Sequence, residues 1–171
     1  MKTVLITGIL GQDGPYLAKL LLGKGYKVYG LIRRYTNPNF SNTDFLGITN
    51  KIEFISGDMT DECSLFCIVK TINPDEIYNL AAQSFVGSSW DQSKLTTEIN
   101  ALGVLYLLNA IRYFAPAVKF YQASTSEMFG DSNQDGLQTE NTPFHPRSPY
   151  AIAKLYAHWI TVNFRESHGM F

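Results

Sequence analysis

The chain alternates between short apolar stretches rich in β-branched residues and longer segments with helical periodicity. Because parallel strands need long crossovers and bury both faces, this alternation favours a mostly parallel sheet with helices on both sides. With right-handed crossovers, the sequence predicts an α/β fold of the doubly wound Rossmann type. The strands are expected at residues 3–6, 28–32, 52–55, 77–80 and 118–122.

Four helices are expected, with Gly25, Pro74 and Pro116 acting as stops. They are predicted at residues 13–24, 61–72, 92–114 with a break near its start, and 149–168. The longest polar connection covers residues 130–148, and no repeat or internal linker divides the chain. We therefore expect one domain over residues 1–171. Its last helix ends where another strand should begin, so we expect a further C-terminal part that this chain lacks.

Charge and hydropathy argue against two classes of partner. The formal net charge is -1, with acids and bases spread along the chain, so neither a nucleic-acid footprint nor a membrane-surface patch is indicated. The apolar runs are too short to span a bilayer, and Met1 leads into a strand without a cleavable signal. These features are typical of a cytoplasmic protein.

The two cysteines, Cys63 and Cys67, stand four residues apart with no histidine nearby. This spacing favours buried helix residues over a metal or redox site, so we expect both to be buried and predict no metal site.

Three glycines, Gly8, Gly11 and Gly14, follow the first strand directly and open the first helix. In that context they predict a dinucleotide-binding loop. Gly8 would permit the tight turn, Gly11 would let the backbone approach a pyrophosphate, and Gly14 would let helix and strand pack closely. The alternative is an ordinary strand-to-helix turn, which three glycines at this placement disfavour.

Arg33 and Arg34 follow the second strand, where NAD-binding domains usually carry an acidic residue for the ribose hydroxyls. Two guanidinium groups would donate hydrogen bonds to a 2′-phosphate, which a carboxylate would repel. The pair favours NADP as the cofactor, and two solvated arginines at a strand end are the alternative.

Further cofactor contacts are expected after the third and fourth strands, where Asp58 would meet the adenine edge and small alanines would leave room for a dinucleotide. The predicted cofactor-binding residues are Gly8, Ile9, Leu10, Gly11, Gln12, Asp13, Gly14, Arg33, Arg34, Asp58, Met59, Leu80, Ala81, Ala82, Gln83, Ser84, Tyr150 and Lys154.

Tyr150 and Lys154 stand four residues apart on a predicted helix and therefore share one face. An ammonium group beside a tyrosine stabilises the phenolate, so the pair predicts proton transfer with Tyr150 as the base.

A second motif, Ser124-Thr125-Ser126-Glu127, follows the fifth strand, at the edge where doubly wound folds bind ligands. Taken separately, the two motifs also fit an exposed helix face and an N-cap or turn, but their joint occurrence behind a glycine loop favours a catalytic site.

Four segments resemble the extended short-chain dehydrogenase/reductase superfamily and, within it, most closely the GDP-mannose 4,6-dehydratases. They are Ile6-Thr7-Gly8 with Gly11-Gln12-Asp13-Gly14, Tyr78-Asn79-Leu80-Ala81-Ala82-Gln83-Ser84, Phe120-Tyr121-Gln122-Ala123-Ser124-Thr125-Ser126-Glu127, and Pro146-Arg147-Ser148-Pro149-Tyr150 with Ala153-Lys154. The resemblance spans nearly the whole chain, and its first and third segments are more specific than the superfamily pattern.

The resemblance implies that GDP-mannose is converted to GDP-4-keto-6-deoxymannose by internal hydride transfer through bound NADP. Tyr150 would remove the proton of the sugar 4-hydroxyl, with Thr125 assisting. Glu127 would abstract the C5 proton before water leaves from C6. The resemblance also implies that Ser84 and Ser126 contact the substrate.

The resemblance further implies a homodimer that pairs two long helices, here residues 100–114 and 149–168, from each subunit. In tetrameric members of the family the loop after the paired arginines touches a neighbouring cofactor site, and here that loop would start at Tyr35. Family members also carry a C-terminal domain that grips the GDP, and this chain stops before it.

Two alternatives stay open. One is a GDP-4-keto-6-deoxymannose reductase, or another nucleotide-sugar dehydratase or epimerase, although Glu127 favours the dehydratase. The other is a non-catalytic NADP-binding fragment, because the expected substrate domain is absent.

Overall fold

The computed structural model describes residues 1–34, 37–131 and 137–171, and its five strands form one parallel sheet. The strands are β1 (Thr3–Thr7), β2 (Lys27–Ile32), β3 (Glu53–Ser56), β4 (Glu76–Asn79) and β5 (Lys119–Gln122). Their order is β3-β2-β1-β4-β5, and every neighbouring pair is parallel. This confirms the predicted Rossmann sheet. The direction of winding reverses between β1 and β4, which is where such sheets bind ligands.

Helices follow the strands much as the sequence predicts, with one addition. They are α1 (Asp13–Gly23), α2 (Ser41–Phe45), α3 (Glu62–Ile72), α4 (Ser93–Thr97), α5 (Gly103–Phe114) and α6 (Pro149–His168). The short helix α2 was not predicted, because five residues are too few to show helical periodicity.

The break expected near the start of the helix over residues 92–114 is not an interruption, because residues 93–114 are helical throughout. A five-residue π-helical stretch, Glu98–Leu102, joins α4 to α5 without an interruption. π-Helical turns of this kind insert a residue into a helix and often occur at functional sites. Gly103 follows the stretch directly. A Cβ at this position would lie 2.7 Å from the backbone oxygen of Met59.

Two apolar cores lie on opposite faces of the sheet. Val4 and Ile6 of β1 belong to the core beneath α1, whereas Leu5 between them belongs to the core beneath α3, α5 and α6. Successive side chains of a strand point to opposite faces, so a central parallel strand covered by helices is apolar throughout. All three side chains are fully buried, which explains the uninterrupted apolar run that the sequence shows.

The prediction that Cys63 and Cys67 are buried was wrong, since both are free and exposed. The buried face of α3 is formed by Leu65, Ile68 and Val69, and the two cysteines lie on its solvent side. Among the described residues, no cluster of histidine, cysteine and acidic side chains is arranged to hold a metal ion.

Ser148 fixes the start of α6, the helix that carries Tyr150 and Lys154. Its hydroxyl accepts a hydrogen bond from the backbone N–H of Ala151 at 3.1 Å, and Pro149 occupies the first helical position. Both are favourable at a helix N-terminus, where backbone N–H groups lack partners within the helix. The cap therefore sets the point at which Tyr150 enters the helix, one turn before Lys154.

Two predicted features extend beyond the described residues. Tyr35 and Thr36, at the start of the loop expected to reach a neighbouring subunit, lie outside them, as do residues 132–136 of the long polar connection. None of the helices in the described part of the chain combines the length and the apolar character needed to cross a bilayer.

Candidate active site

A cleft of about 850 Å³ opens at the carboxyl edge of the sheet, around the point where the winding reverses. It gathers the glycine loop, the end of β2, the turn after β3 and the segment after β4. Its walls include the following predicted cofactor residues: Gly8, Ile9, Leu10, Gly11, Gln12, Asp13, Gly14, Arg33, Asp58, Met59, Leu80, Ala81, Ala82, Gln83 and Ser84. Leu31, Ile32, Gln92, Leu95 and Ile99 also line it and were not predicted as contacts.

The glycine loop is packed so tightly that side chains are excluded at two positions. Gly8 has a φ of +69°, and a Cβ there would lie 2.7 Å from the carbonyl carbon of Leu80. A Cβ on Gly14 would lie 2.6 Å from the carbonyl oxygen of Gly8. The N–H of Gly11 donates to that same oxygen at 3.0 Å and closes the turn. The loop therefore presents bare backbone at the start of α1, where N–H groups favour an anion.

A chain of hydrogen bonds crosses the carboxyl ends of β1, β4 and β5. The hydroxyl of Thr7 accepts from the backbone N–H of Ala81 at 3.0 Å and donates to the side-chain oxygen of Asn79. The amide nitrogen of Asn79 then donates to the side-chain oxygen of Gln122 at 2.7 Å. Thr7 and Asn79 are fully buried, so these bonds satisfy groups that water does not reach.

The same chain of hydrogen bonds ends at Lys154. The carbonyl oxygen of Ala123 accepts from the side-chain nitrogen of Gln122 at 3.0 Å and from the ammonium group of Lys154 at 3.0 Å. Lys154 is only 4% exposed, and this burial lowers the pKa of its ammonium group to about 8. Lys154 therefore holds its proton less firmly than an exposed lysine does.

Tyr150 lies beside this ammonium group. The Nζ atom of Lys154 is 5.9 Å from the centre of the Tyr150 ring, and Tyr150 is 8% exposed. The ammonium group and the phenol ring therefore lie together in a largely dry part of the fold, one turn apart on α6.

The turn after β5 carries Thr125, Ser126 and Glu127. The side-chain oxygen of Thr125 accepts from the backbone N–H of Glu127 at 3.2 Å and caps a short 3-10 helix, Ser126–Met128. Helix α6 packs against this 3-10 helix. The side chains of Ser126 and Glu127 are exposed, whereas Thr125 is half-buried. The turn therefore offers a carboxylate and two hydroxyls to a ligand near the Tyr150 helix.

A comparison with known proteins identifies the family. The model of the family described as GDP-mannose 4,6 dehydratase matches residues 5–171. The chain belongs to the GDP-mannose 4,6-dehydratase family. One relative is the GDP-mannose 4,6-dehydratase of Yersinia enterocolitica, which is 51% identical over 178 residues, covering 100% of this chain and 48% of the relative. The chain spans about half the length of the curated relatives it matches.

Solved structures of nucleotide-sugar enzymes share the fold. A dTDP-glucose 4,6-dehydratase of Streptomyces venezuelae, solved with NAD, is 27% identical with a TM-score of 0.84, covering 98% of this chain and 53% of that one. A UDP-glucose 4-epimerase of Thermus thermophilus, also solved with NAD, is 29% identical with a TM-score of 0.84, covering 98% and 52%.

In this member of the GDP-mannose 4,6-dehydratase family, the residues predicted for catalysis and those predicted for the cofactor form two neighbouring groups. All the predicted cofactor residues line the cleft except Arg34, Tyr150 and Lys154. The predicted catalytic residues form the second group, which lies around the end of β5 and not among the described lining residues of the cleft. This group comprises Thr125, Glu127, Tyr150 and Lys154. The hydrogen bonds through Asn79 and Gln122 connect the two groups.

Asn100 is a site residue that the sequence analysis missed. Its side chain accepts from the backbone N–H of Gln83 at 2.9 Å and donates to the backbone oxygen of Gln83 at 2.9 Å. Asn100 is 1% exposed and lies in the π-helical stretch. It therefore fixes the backbone of one wall of the cleft. A polar residue between the apolar Ile99 and Ala101, inside a helix, was the available signal.

Proposed function

We propose that this chain forms the cofactor-binding and proton-transfer part of an NADP-dependent GDP-mannose 4,6-dehydratase, which converts GDP-mannose to GDP-4-keto-6-deoxymannose. The observation that carries the proposal is the buried Lys154 beside Tyr150, next to the turn that bears Glu127, in a chain of this family. Dehydration needs a base for a carbon acid as well as the tyrosine, and Glu127 supplies a carboxylate at that position.

A nicotinamide dinucleotide is the proposed cofactor. The bare backbone of Gly8, Gly11 and Gly14 fits a pyrophosphate at the N-terminus of α1, and the cleft has the volume for the rest of the molecule. The related dehydratase and epimerase structures were solved with NAD. NADP is proposed for this chain because Arg33 lines the cleft and Arg34 adjoins it in sequence.

When bound, the dinucleotide supplies a hydride acceptor that later returns the hydride to the sugar. The residues of the chain move the protons. Tyr150 takes the proton from the 4-hydroxyl, with the ammonium group of Lys154 stabilising the phenolate that receives it. Thr125 donates a hydrogen bond to the oxygen at C4, which becomes the ketone. The Ala123 carbonyl holds Lys154 in place through its 3.0 Å hydrogen bond.

Glu127 carries the second proton transfer. The ketone at C4 makes the C5 proton acidic, so the carboxylate of Glu127 accepts it and passes it to the 6-hydroxyl, which leaves as water. When the hydride returns to C6, a proton from solvent is added at C5, and Tyr150 releases to solvent the proton that it took from the 4-hydroxyl. The exposure of Glu127 fits this role because a base for the sugar must be reached from the solvent side of the turn. Ser84 and Ser126, which are also exposed, are proposed to bind the substrate.

A homodimer is proposed on the outer face of α6. Ile152, Tyr156 and Trp159 are spaced four and three residues apart, so they form one apolar stripe along the helix. Their residues are 57%, 39% and 54% exposed, and a stripe of this kind is favourable only when covered. Helix α5 packs beside α6, so two copies would pair four helices. Pairing of two dimers into a tetramer remains a further proposal.

A cofactor-binding module without turnover is the second candidate, because the chain spans about half the length of its curated relatives. One incubation separates the two. With GDP-mannose and NADP, the dehydratase yields a 4-keto-6-deoxy sugar nucleotide, which is detected by mass as a product lighter by one water. Binding of NADP without this product would favour the module.

A further inference from the structure

Asn42 of the short helix α2 holds the glycine loop from outside the cleft. Its side-chain nitrogen donates to the carbonyl oxygen of Gly11 at 2.8 Å and to that of Leu10 at 3.3 Å. Leu10 and Gly11 line the cleft, whereas Asn42 is not among its described lining residues. Both acceptors are carbonyl oxygens, so the group that faces the loop is the NH₂ end of the amide.

The position of Asn42 is fixed although its side chain lies at the surface. The next residue, Thr43, is fully buried, and its hydroxyl donates to the carbonyl oxygen of Phe40 at 2.9 Å. That hydroxyl also accepts from the hydroxyl of Thr49 at 2.8 Å. Ile48, which follows α2, is buried in the core beneath α1. Helix α2 is therefore anchored to the body of the domain, and Asn42 is anchored with it.

The contact fixes the orientation of a peptide group in the glycine loop. The carbonyl of Gly11 and the N–H of Gln12 belong to one planar trans peptide, so they point in opposite directions. Because Asn42 holds the carbonyl on its own side, the N–H of Gln12 points away from Asn42. Gln12 lines the cleft and precedes the first residue of α1, where backbone N–H groups bind anions.

We infer that Asn42 is a positioning residue for the cofactor: it orients the Gly11–Gln12 peptide so that the N–H of Gln12 is presented to the pyrophosphate of a dinucleotide. This rests on the proposed function, since it requires that the cleft binds a dinucleotide. Without the amide, the carbonyl of Gly11 loses the partner that holds it on the side of Asn42, and a carbonyl oxygen turned toward the cleft repels a phosphate. Asn42 therefore contributes to the affinity for pyrophosphate and not to recognition of the adenosine end.

The test compares two ligands in three variants of the chain. Asn42→Ala removes the donor, and Asn42→Asp keeps the shape of the side chain without an NH₂ group. We expect both variants to bind NADP about tenfold more weakly, because the loop loses the equivalent of one net hydrogen bond. Isothermal titration calorimetry measures this affinity. Binding of adenosine 2′-monophosphate, which has no pyrophosphate, is expected to stay within about twofold by chemical-shift titration.

Asn39→Ala is the matched control. Asn39 is an exposed residue just before α2, and its side-chain oxygen accepts from the backbone N–H of Ser41 at 3.0 Å. Among the described residues, no hydrogen bond joins the side chain of Asn39 to the glycine loop. Its loss should leave NADP affinity unchanged. Equal NADP affinity in wild type and Asn42→Ala, or an equal loss for both ligands, would overturn the inference alone. Failure of the wild-type chain to bind any dinucleotide would overturn the proposed cofactor site and this inference with it.

Discussion

The ammonium group of Lys154 donates a hydrogen bond to the backbone carbonyl of Ala123 at 3.0 Å, and burial lowers the pKa of this group to about 8. A buried ammonium group held by a neutral carbonyl is costly to the fold. The same environment makes Lys154 suited to a tyrosine that must lose and regain a proton. The buried charge of Lys154 therefore lowers the stability of the fold while it serves the proposed proton transfer.

Replacing Lys154 with methionine should stabilise the fold at neutral pH. The pKa of Lys154 falls from 10.5 to about 8 on folding, so the cost of burying its charge is fully present below pH 8. We expect Lys154→Met to raise the free energy of unfolding at pH 7 by about 1 to 3 kcal/mol, measured by urea denaturation. Catalytic turnover should be lost in the same variant.

The pH dependence of that difference has a definite sign. Between pH 8 and 10.5 the unfolded chain binds more protons at Lys154 than the folded chain, so this group adds stability as the pH rises. The difference in free energy of unfolding between wild type and Lys154→Met should therefore decrease from pH 7 to pH 9.5. The exposed Lys19→Met on α1 serves as control and should show no such trend. A difference in free energy of unfolding that increases with pH would contradict a Lys154 pKa lowered by burial.

Thr7→Val should destabilise the fold through the hydrogen-bond chain. The change keeps the size of the side chain but leaves the N–H of Ala81 and the side-chain oxygen of Asn79 without the Thr7 hydroxyl. Unsatisfied buried groups of this kind cost about 1 to 3 kcal/mol each. Thr161→Val is the control, because the hydroxyl of Thr161 donates to the carbonyl oxygen of Ala157 within the same helix at 2.7 Å. Equal unfolding midpoints for the two variants would refute a structural role for the hydrogen bonds of Thr7.

Two glycines of α1 should respond in opposite ways to alanine. A Cβ on Gly14 would lie 2.6 Å from the Gly8 carbonyl oxygen, whereas one on Gly23 would meet no atom within 4 Å. Gly14→Ala should lower the free energy of unfolding by more than about 2 kcal/mol and abolish dinucleotide binding. Gly23→Ala should be neutral or stabilising by up to about 1 kcal/mol, because alanine favours the helix. Similar effects of both changes in thermal unfolding would argue against the close packing of the loop.

The paired arginines should decide between NADP and NAD. Replacing Arg33 and Arg34 together with alanine removes the donors for a 2′-phosphate, so NADP affinity should fall about 10- to 100-fold while NAD affinity changes less than about twofold. Arg112→Ala, near the end of α5, is the control for a lost positive charge. Calorimetry that found tighter binding of NAD than NADP to the wild type would rule out the NADP assignment.

The fold and the glycine loop could be predicted because their signals are local. A β-branched run, a helical period or a glycine with positive φ leaves a trace within a few residues, and the five strands were each placed within a residue or two. The Tyr150–Lys154 pair and the turn with Glu127 were also predicted from their own residues, and the family resemblance added their roles. Helix α6 and the 3-10 helix Ser126–Met128, which carry them, pack together after β5.

The contacts that hold the site could not be predicted because each joins distant parts of the chain. Asn42 reaches Gly11, Asn79 reaches Gln122, and Asn100 reaches Gln83 only after the sheet and the helices have formed. Asparagine is common in turns, so its presence alone indicates nothing about these contacts. The exposed cysteines of α3 show the same limit, since apolar spacing on a helix leaves the choice of buried face to tertiary packing.

In the proposed reaction, one active site carries out oxidation, loss of water and reduction on the same sugar, with Glu127 as the base at C5. The most direct measurement follows GDP-mannose deuterated at C4 by mass spectrometry and NMR. We expect a 4-keto-6-deoxy product that carries the deuterium at C6, and no such product from Glu127→Gln, which should still bind NADP. Deuterium lost to solvent, or unchanged turnover by Glu127→Gln, would contradict it.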